Sequence, residues 1–364
     1  MNMNRSSRAT RVMVALAATT LALTACSKAE TAANPGSAGT SAGPAASAAA
    51  TSSATSGAAG CTLQQTGAPK LDLKNAVVGF SQSEPETAAF RVAETQSIKD
   101  ETAKIGVKKL LTTNANSQLS KQISDIQDML NQGAQLLIVA PLNSDGLQPA
   151  LAAAAAKKVP VITIDRQVNA TPCTDYLTFI GSNFVDQGKR AADAMAKATN
   201  GEGKIAILLG SSGNNVTTDR TSGFVDQIKV AAPKMTIVAQ QTADFKRDTG
   251  QEVMGTLLQA NPGITAVYAE NDEMGLGAIV AIAAAGKQPG NDIKVVSVDG
   301  TRNAVQAIVD GKYNAVIESN PRFGPLAFQT ATDFEAGKPI PAKVIITDKE
   351  YDQSNAKQNL ANAF

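Results

Sequence analysis

Histidine is missing from all 364 residues, and so is tryptophan. Without an imidazole there is no Ser-His-Asp or Cys-His nucleophile, no His-ligated zinc and no ordinary proton carrier near neutral pH. Cysteine occurs three times, too few for an all-cysteine tetrahedral zinc site. Aromatics make up only 4%, so any core is built mainly from aliphatic side chains. The 33 Lys and Arg are balanced by 32 Asp and Glu, which leaves no basic footprint for nucleic acid. No metal-binding or cofactor-binding pattern is present. What the chain does have is 43% hydrophobic residues over a length that suits two compact lobes.

Arg5, Arg8 and Arg11 precede an apolar run at 12–23, too short to span a bilayer and of the right length for the core of a signal peptide. It closes on Leu23-Thr24-Ala25-Cys26, which matches the lipobox of bacterial lipoproteins, where the Cys thiol is acylated before cleavage. Residues 1–25 are thus expected to be a lipoprotein signal peptide, and Cys26 a lipid anchor to the outer face of a membrane. Residues 31–60 contain only Ala, Ser, Gly, Thr, Pro and one Asn. Such a stretch cannot offset its ordering entropy by burial, so 26–70 is expected to be a flexible tether.

Beyond it, short apolar runs alternate with helical-period segments. Strands are expected at 76–80, 107–111, 136–140, 160–164 and 177–180, then at 204–209, 236–240, 266–269, 295–298 and 315–317. Alternation of this kind implies parallel sheets covered by helices, and two series imply two doubly wound α/β lobes. The lobes are expected at 71–181 plus 321–345 and at 182–320 plus 346–364, with hinge crossings near 181–183, 318–321 and 345–347. The remaining cysteines, Cys61 and Cys173, are expected to pair in an oxidising compartment, the alternative being two unrelated thiols.

Polar side chains cluster where strands should end, the place where open α/β sheets bind ligands. They are Ser81-Gln82, Asn114, Asp165-Arg166, Asn271-Asp272 and Asp299, with Arg220 following another strand. A carboxylate accepts from vicinal hydroxyls, a guanidinium donates to two oxygens and an amide does both, which is what reading a sugar requires. Singly, each is as well explained as a helix cap. Asp348, Glu350 and Asp352 have the opening spacing of a calcium loop, but Gln353 and Asn359 stand where it needs Gly and Glu, so this run is expected to be solvated.

These strings resemble the type I periplasmic sugar-binding proteins of ABC importers, over about residues 76–346. The resemblance is carried by Val78-Gly79-Phe80-Ser81-Gln82, Phe90-Arg91-Val92-Ala93-Glu94, Ile164-Asp165-Arg166, Thr218-Asp219-Arg220, Ala243-Asp244-Phe245, Glu270-Asn271-Asp272-Glu273-Met274 and Ser297-Val298-Asp299-Gly300. The likeness is strongest to the members that bind galactofuranose, although Phe90-Arg91 stands where those have Trp-Arg. It implies an extracytoplasmic protein, monomeric and not an enzyme, that closes two lobes on a monosaccharide and delivers it to ABC permease subunits. It also implies that Asp165, Arg166, Arg220, Asn271 and Asp299 bond the sugar while Phe90 and Phe245 pack on it. Residue by residue the alternatives are core packing for either Phe, and for Arg91 a solvated pair with Glu94 or Glu86. A repressor of the same fold would need a DNA-binding module where the signal peptide and tether lie. A sugar sensor for a signalling receptor stays open, as does a secreted glycosidase working through paired carboxylates, although no second acidic group obviously faces Asp165 or Asp299.

Overall fold

A computed structural model describes residues 52–54 and 60–364. The expected signal peptide and Cys26 lie outside the described residues. Six strands come first: β1 (Ser52–Ala54), β2 (Val77–Gln82), β3 (Lys109–Asn114), β4 (Leu136–Val139), β5 (Val161–Ile164) and β6 (Thr178–Gly181). Five follow: β7 (Glu202–Leu209), β8 (Lys234–Thr242), β9 (Ala266–Ala269), β10 (Lys294–Asp299) and β11 (Ala315–Glu318). The last two are β12 (Lys343–Ile346) and β13 (Glu350–Asp352). They form one sheet in the order β1-β12-β6-β5-β4-β2-β3 and another in the order β13-β11-β10-β9-β7-β8. Within each sheet all pairings are parallel except those of the outer strands β1 and β13.

The chain passes from the first sheet to the second after β6, returns after β11 and crosses again after β12. In both sheets the first strand of the series lies between the second and third, so the order reverses beside β2 and beside β7. Open α/β sheets form their ligand crevices at that reversal, outside the carboxyl ends of the strands.

Burial on both faces explains the uninterrupted apolar strands. Leu136 and Ile138 of β4 join the cluster containing Phe80, Ile162 and Phe328, while Leu137 and Val139 face Met129, Leu151 and Phe179. In the second sheet Val267 and Ala269 of β9 pack with Met254, Ile282 and Val295, and Ala266 and Tyr268 pack with Ile205, Phe224 and Val296. Each strand thus divides its side chains between two helix layers with a period of two. Two helices of the second lobe, Phe184–Thr199 and Asn215–Ala231, approach with their backbones nearly in contact. A Cβ on Gly188 would lie 2.3 Å from the Arg220 carbonyl oxygen, and one on Gly223 would lie 2.2 Å from that of Val185. This packing, which only glycine permits, sets Gln187 against Arg220.

The structure departs from the expected tether. Thr62 caps the helix Leu63–Thr66 in a reciprocal arrangement with Gln65, and Leu63 and Ala68 pack against the first core, so 61–70 belongs to the folded body. Ser52–Ala54 pair antiparallel with β12, because even an Ala/Ser segment can hydrogen-bond an open sheet edge through its backbone. Strands β12 and β13 were not expected either. β12 opens on Lys343 and β13 is Glu350-Tyr351-Asp352, so neither presents the continuous apolar run that marks the other short strands.

Cys61 and Cys173 form a disulfide with Cα atoms 5.3 Å apart. Cys61 also exchanges two main-chain hydrogen bonds with Ile340, so the entering chain is held to the first lobe at two points. The bridge closes a loop of 112 residues, for which restricting the unfolded chain contributes about 4–5 kcal/mol. Replacing both cysteines by Ser is expected to lower unfolding free energy by about 2–5 kcal/mol, measured by denaturant titration. Equal midpoints for the two proteins would contradict this.

Candidate functional site

A cleft of about 1090 Å³ lies between the carboxyl ends of the two sheets, lined by residues of both. Eight of the side chains singled out in the sequence line it: Phe90, Arg91, Asp165, Arg166, Arg220, Phe245, Asn271 and Asp299. Ser81, Gln82 and Asn114 do not. Gln82 is fully buried and donates to Glu94 and Thr95, Ser81 bonds Gln122, and Asn114 donates to the Glu84 carbonyl oxygen. All three are turned into the wall, where Gln82 and Asn114 hold the loop that carries Glu84.

On the first lobe, five charged groups form one network. The Arg91 guanidinium is 5% exposed, so it is not the solvated helix residue that was one of its expected readings. It donates to Glu84 at 2.9 Å, Glu94 at 2.8 Å and Asp165 at 2.7 Å. Arg166 donates to the other oxygen of Glu84 at 2.9 Å and to the Leu142 carbonyl oxygen at 3.0 Å. Burial pushes the Glu84 carboxyl up, and Arg166 and Arg91 more than reverse it, holding it at about 2. Burial pushes Glu94 up to about 7 in spite of Arg91. Sequence reading did not assign Glu84 a place. It stands in a stretch, Ser83-Glu84-Pro85-Glu86, whose pattern offers no signal to separate its carboxylate from that of Glu86.

On the second lobe, Arg220 is 3% exposed. Its Nε donates to Gln187 at 2.9 Å, Nη1 to the Glu270 carbonyl oxygen at 2.5 Å, and Nη2 reaches Asp299 at 3.5 Å. The guanidinium lies 5.7 Å from the centre of the Phe184 ring. Asn271 caps the helix Asp272–Ala284 through the Met274 amide and donates to the Phe245 carbonyl oxygen. Asp272, beside it, faces away from the cleft and accepts from Ser297, Gly300 and both donors of Thr301. Burial pushes the Asp299 carboxyl well up, with Arg220 opposing.

The backbone is unusual at this cleft. Asn116, Ser117, Asp165, Asp244, Phe245 and Asp299 all line it with positive φ, from 51° at Asn116 to 138° at Asp299. Such conformations cost about 1–3 kcal/mol each and persist where surrounding contacts impose them, commonly at ligand sites. Phe245 packs against apolar clusters of both lobes, and the Arg166 guanidinium lies 5.9 Å from its ring centre. Phe90 is half-buried and meets Phe364 edge to face at 6.0 Å. The rim is bridged as well: the Ser144 amide donates to the Gly213 carbonyl oxygen at 2.9 Å, the Asn215 amide to the Ser144 hydroxyl at 3.1 Å, and the Gln167 amide to the Asn215 side chain at 2.9 Å. The two lobes are therefore closed on each other. Asp165 and Asp299, from opposite sheets, face one space, and Asp165 gives Oδ2 to Arg91 and Asp299 gives Oδ1 to Arg220, so the other oxygen of each is left for a ligand. That arrangement suits a small polyhydroxylated molecule, not a charged one, since each carboxylate already has its guanidinium.

Of the run Asp348, Glu350 and Asp352, expected to be solvated, Glu350 is exposed but the others are not wholly so. Asp348 turns its carboxylate inward to Gln187, and Asp352 pairs with Lys197. Among the described residues no group of three or more Cys, Asp or Glu is arranged to hold a metal ion, and no helix is long and apolar enough to cross a membrane.

Two interdigitating parallel sheets with a polar cleft at their reversal points define a type I periplasmic sugar-binding protein. The model of the periplasmic binding protein domain matches residues 78–339, and the chain belongs to that family. It is 34% identical to the galactofuranose-binding protein YtfQ of Escherichia coli over 288 residues, 78% of this chain and 90% of that protein. A Mycobacterium smegmatis structure in complex with β-D-fucofuranose superposes with a TM-score of 0.74 at 39% identity, covering 79% of this chain and 94% of that one. The binding component of an arabinose ABC transporter from Shewanella sp. ANA-3, bound to α- and β-L-arabinofuranose, gives 0.75 at 33% identity, covering 78% and 94%.

The buried carboxyls make a stability prediction. Burial pushes Glu270 up to about 7, and its oxygens accept from the Gly210 amide at 2.7 Å and from the Thr221 hydroxyl. A folded value above the unfolded one means that Glu270 favours the folded state fully below about pH 4.5, and that this contribution is lost as pH rises to about 7. Glu94 acts in the same direction, while Glu84 adds stability only as pH rises from about 2 to about 4.5. Ligand-free protein is thus expected to lose unfolding free energy between pH 5 and 7.5. Glu270→Gln, which keeps an acceptor for Gly210, is expected to flatten that slope by about 1–3 kcal/mol, as seen by denaturant titration at each pH. An unchanged slope would refute the assignment.

Proposed function

We propose that this chain is the extracytoplasmic substrate-binding component of an ABC sugar importer, that it is not an enzyme, and that it captures a monosaccharide in its furanose form. The observation that carries the reading is the pairing of Asp165 and Arg166 from one sheet with Arg220, Asn271 and Asp299 from the other around a single cleft. Similar proteins that are named for, or solved with, galactofuranose, fucofuranose and arabinofuranose support the ring form. A ligand touching both lobes binds the closed form better than any open one, so it shifts the population toward closure. Closed protein is the species the permease then engages. Phe90 and Phe245 provide apolar surface for the carbon faces of the ring, and the charged pairs read its hydroxyls. Such a site typically reaches micromolar affinity, about −8 kcal/mol after association costs.

In the same reading Cys26 carries the lipid, and the monomeric binding protein is held at the membrane surface by acyl chains. Mass spectrometry of the membrane fraction is expected to find the mature N-terminus at an acylated Cys26, and Cys26→Ser to release the protein; a membrane-bound Ser variant would refute the anchor.

The sugar itself is tested by thermal shift with D-galactose, D-fucose, L-arabinose, D-ribose and D-fructose. A sugar at a hundred times its Kd stabilises by about 2.7 kcal/mol, several degrees for a protein of this class. No shift with any of them would overturn the reading. Arg220→Ala is expected to cost about 2–4 kcal/mol in binding, measured by calorimetry, because it removes charge-assisted donors from a water-poor cleft. Unchanged affinity would remove Arg220 from the site.

A further inference from the structure

Gln187 is absent from the cleft lining, yet every polar atom of its side chain is engaged. Its Oε1 accepts from Arg220 Nε at 2.9 Å. Its Nε2 donates to the Glu318 carbonyl oxygen at 3.2 Å and to Asp348 Oδ2 at 2.8 Å. Glu318 ends β11, where the chain leaves for the first lobe, and Asp348 lies between β12 and β13, where it crosses back. Gln187 itself sits one turn into the helix that follows the first crossing. The first and second crossings are joined in turn by the Ser182 and Ser319 hydroxyls, 3.3 Å apart. All of these groups are buried except Asp348, which is half-buried with its carboxylate turned in.

Resting on the sugar-binding reading above, we infer that Gln187 and Asp348 are positioning residues that couple the hinge to the ligand-reading guanidinium of Arg220. An amide is the one neutral side chain that can accept from Arg220 while donating to both crossing strands. Rotation about the crossings displaces the Glu318 carbonyl and Asp348 together. The amide cannot follow both without surrendering Arg220, so the orientation of Arg220 toward the cleft is complete only when the hinge is closed. Breaking one member of a buried polar chain weakens the others, and pairs in contact respond non-additively.

The test is calorimetric titration of D-galactose, D-fucose and L-arabinose into four variants, with the ligand-free Tm of each recorded. Asp348→Ala, outside the cleft, is expected to weaken binding about tenfold, whereas Asp348→Asn keeps an acceptor for Gln187 and is expected to stay within threefold of the native protein. Gln187→Leu is expected to weaken binding tenfold or more, and the double variant with Asp348→Ala to bind no worse than Gln187→Leu alone. Native affinity in Asp348→Ala, an equal loss in Asp348→Asn, or losses that multiply in the double variant would each overturn the coupling. Should Gln187→Leu fail to fold, the Ala and Asn comparison at 348 decides alone. If the native protein binds none of the three sugars, it is the proposed function that falls.

Discussion

The cleft depends on a guanidinium that has been taken out of water. Arg91 is surrounded by three carboxylates, and removing the guanidinium would leave buried carboxylates without the cation they share, typically at a cost of about 3–5 kcal/mol. The consequence reaches well beyond Arg91. Because Glu84 and Asp165 are committed to it, the loop after β2 and the left-handed residue after β5 have one arrangement each. Asn114 and Gln82 hold that arrangement from behind. The second lobe repeats the device with Arg220, fixed by Gln187, the Glu270 carbonyl and Asp299. The first half-site is therefore preorganised and the second is completed as the hinge closes, so little side-chain ordering remains to oppose ligand binding in the closed form.

Much of this architecture was legible because parallel strands are buried on both faces and read as continuous apolar runs. All ten strands of the two series lie where their runs do, shifted by a few residues at the ends; β3 is displaced most, to Lys109–Asn114. Asp165, Arg166, Asn271 and Asp299 were legible because each stands at or just past a strand end, whereas Phe90, Arg91, Arg220 and Phe245 lie on or before the following helices and were picked out by the family resemblance. Ser81 and Gln82 also stand at a strand end but point to opposite faces of β2, each met by a helix through Gln122 or through Glu94 and Thr95, while Asn114 holds the Glu84 carbonyl oxygen; no periodicity reveals such partners. Gln187 and Glu84 were illegible for a different reason. One is defined by hydrogen bonds across 33 and 161 residues of sequence, the other by a loop whose path depends on partners far along the chain. The tether was overdrawn because composition measures what side chains can bury and says nothing of backbone pairing or of a capping box at Thr62.

Phe245 shows how one residue serves both lobes. It follows β8 in a left-handed conformation, and its ring contacts apolar clusters on each side and underlies Arg166. Of its expected readings, core packing is realised, and the same residue also lines the cleft. A ring shared in this way adds apolar stabilisation to the closed state without a ligand. Whatever such contacts contribute to closure need not be supplied by a ligand.

The bridges across the rim, from Ser144 and Gln167 to Gly213 and Asn215, have a kinetic meaning. They touch no part of the cleft floor, so they do not discriminate among bound molecules. They must nevertheless be exchanged for water before anything inside can leave. The residence time of a captured molecule is governed by this outer seam, separately from how well the interior recognises it, and a docking protein that prises the seam apart would hasten release without competing for the interior.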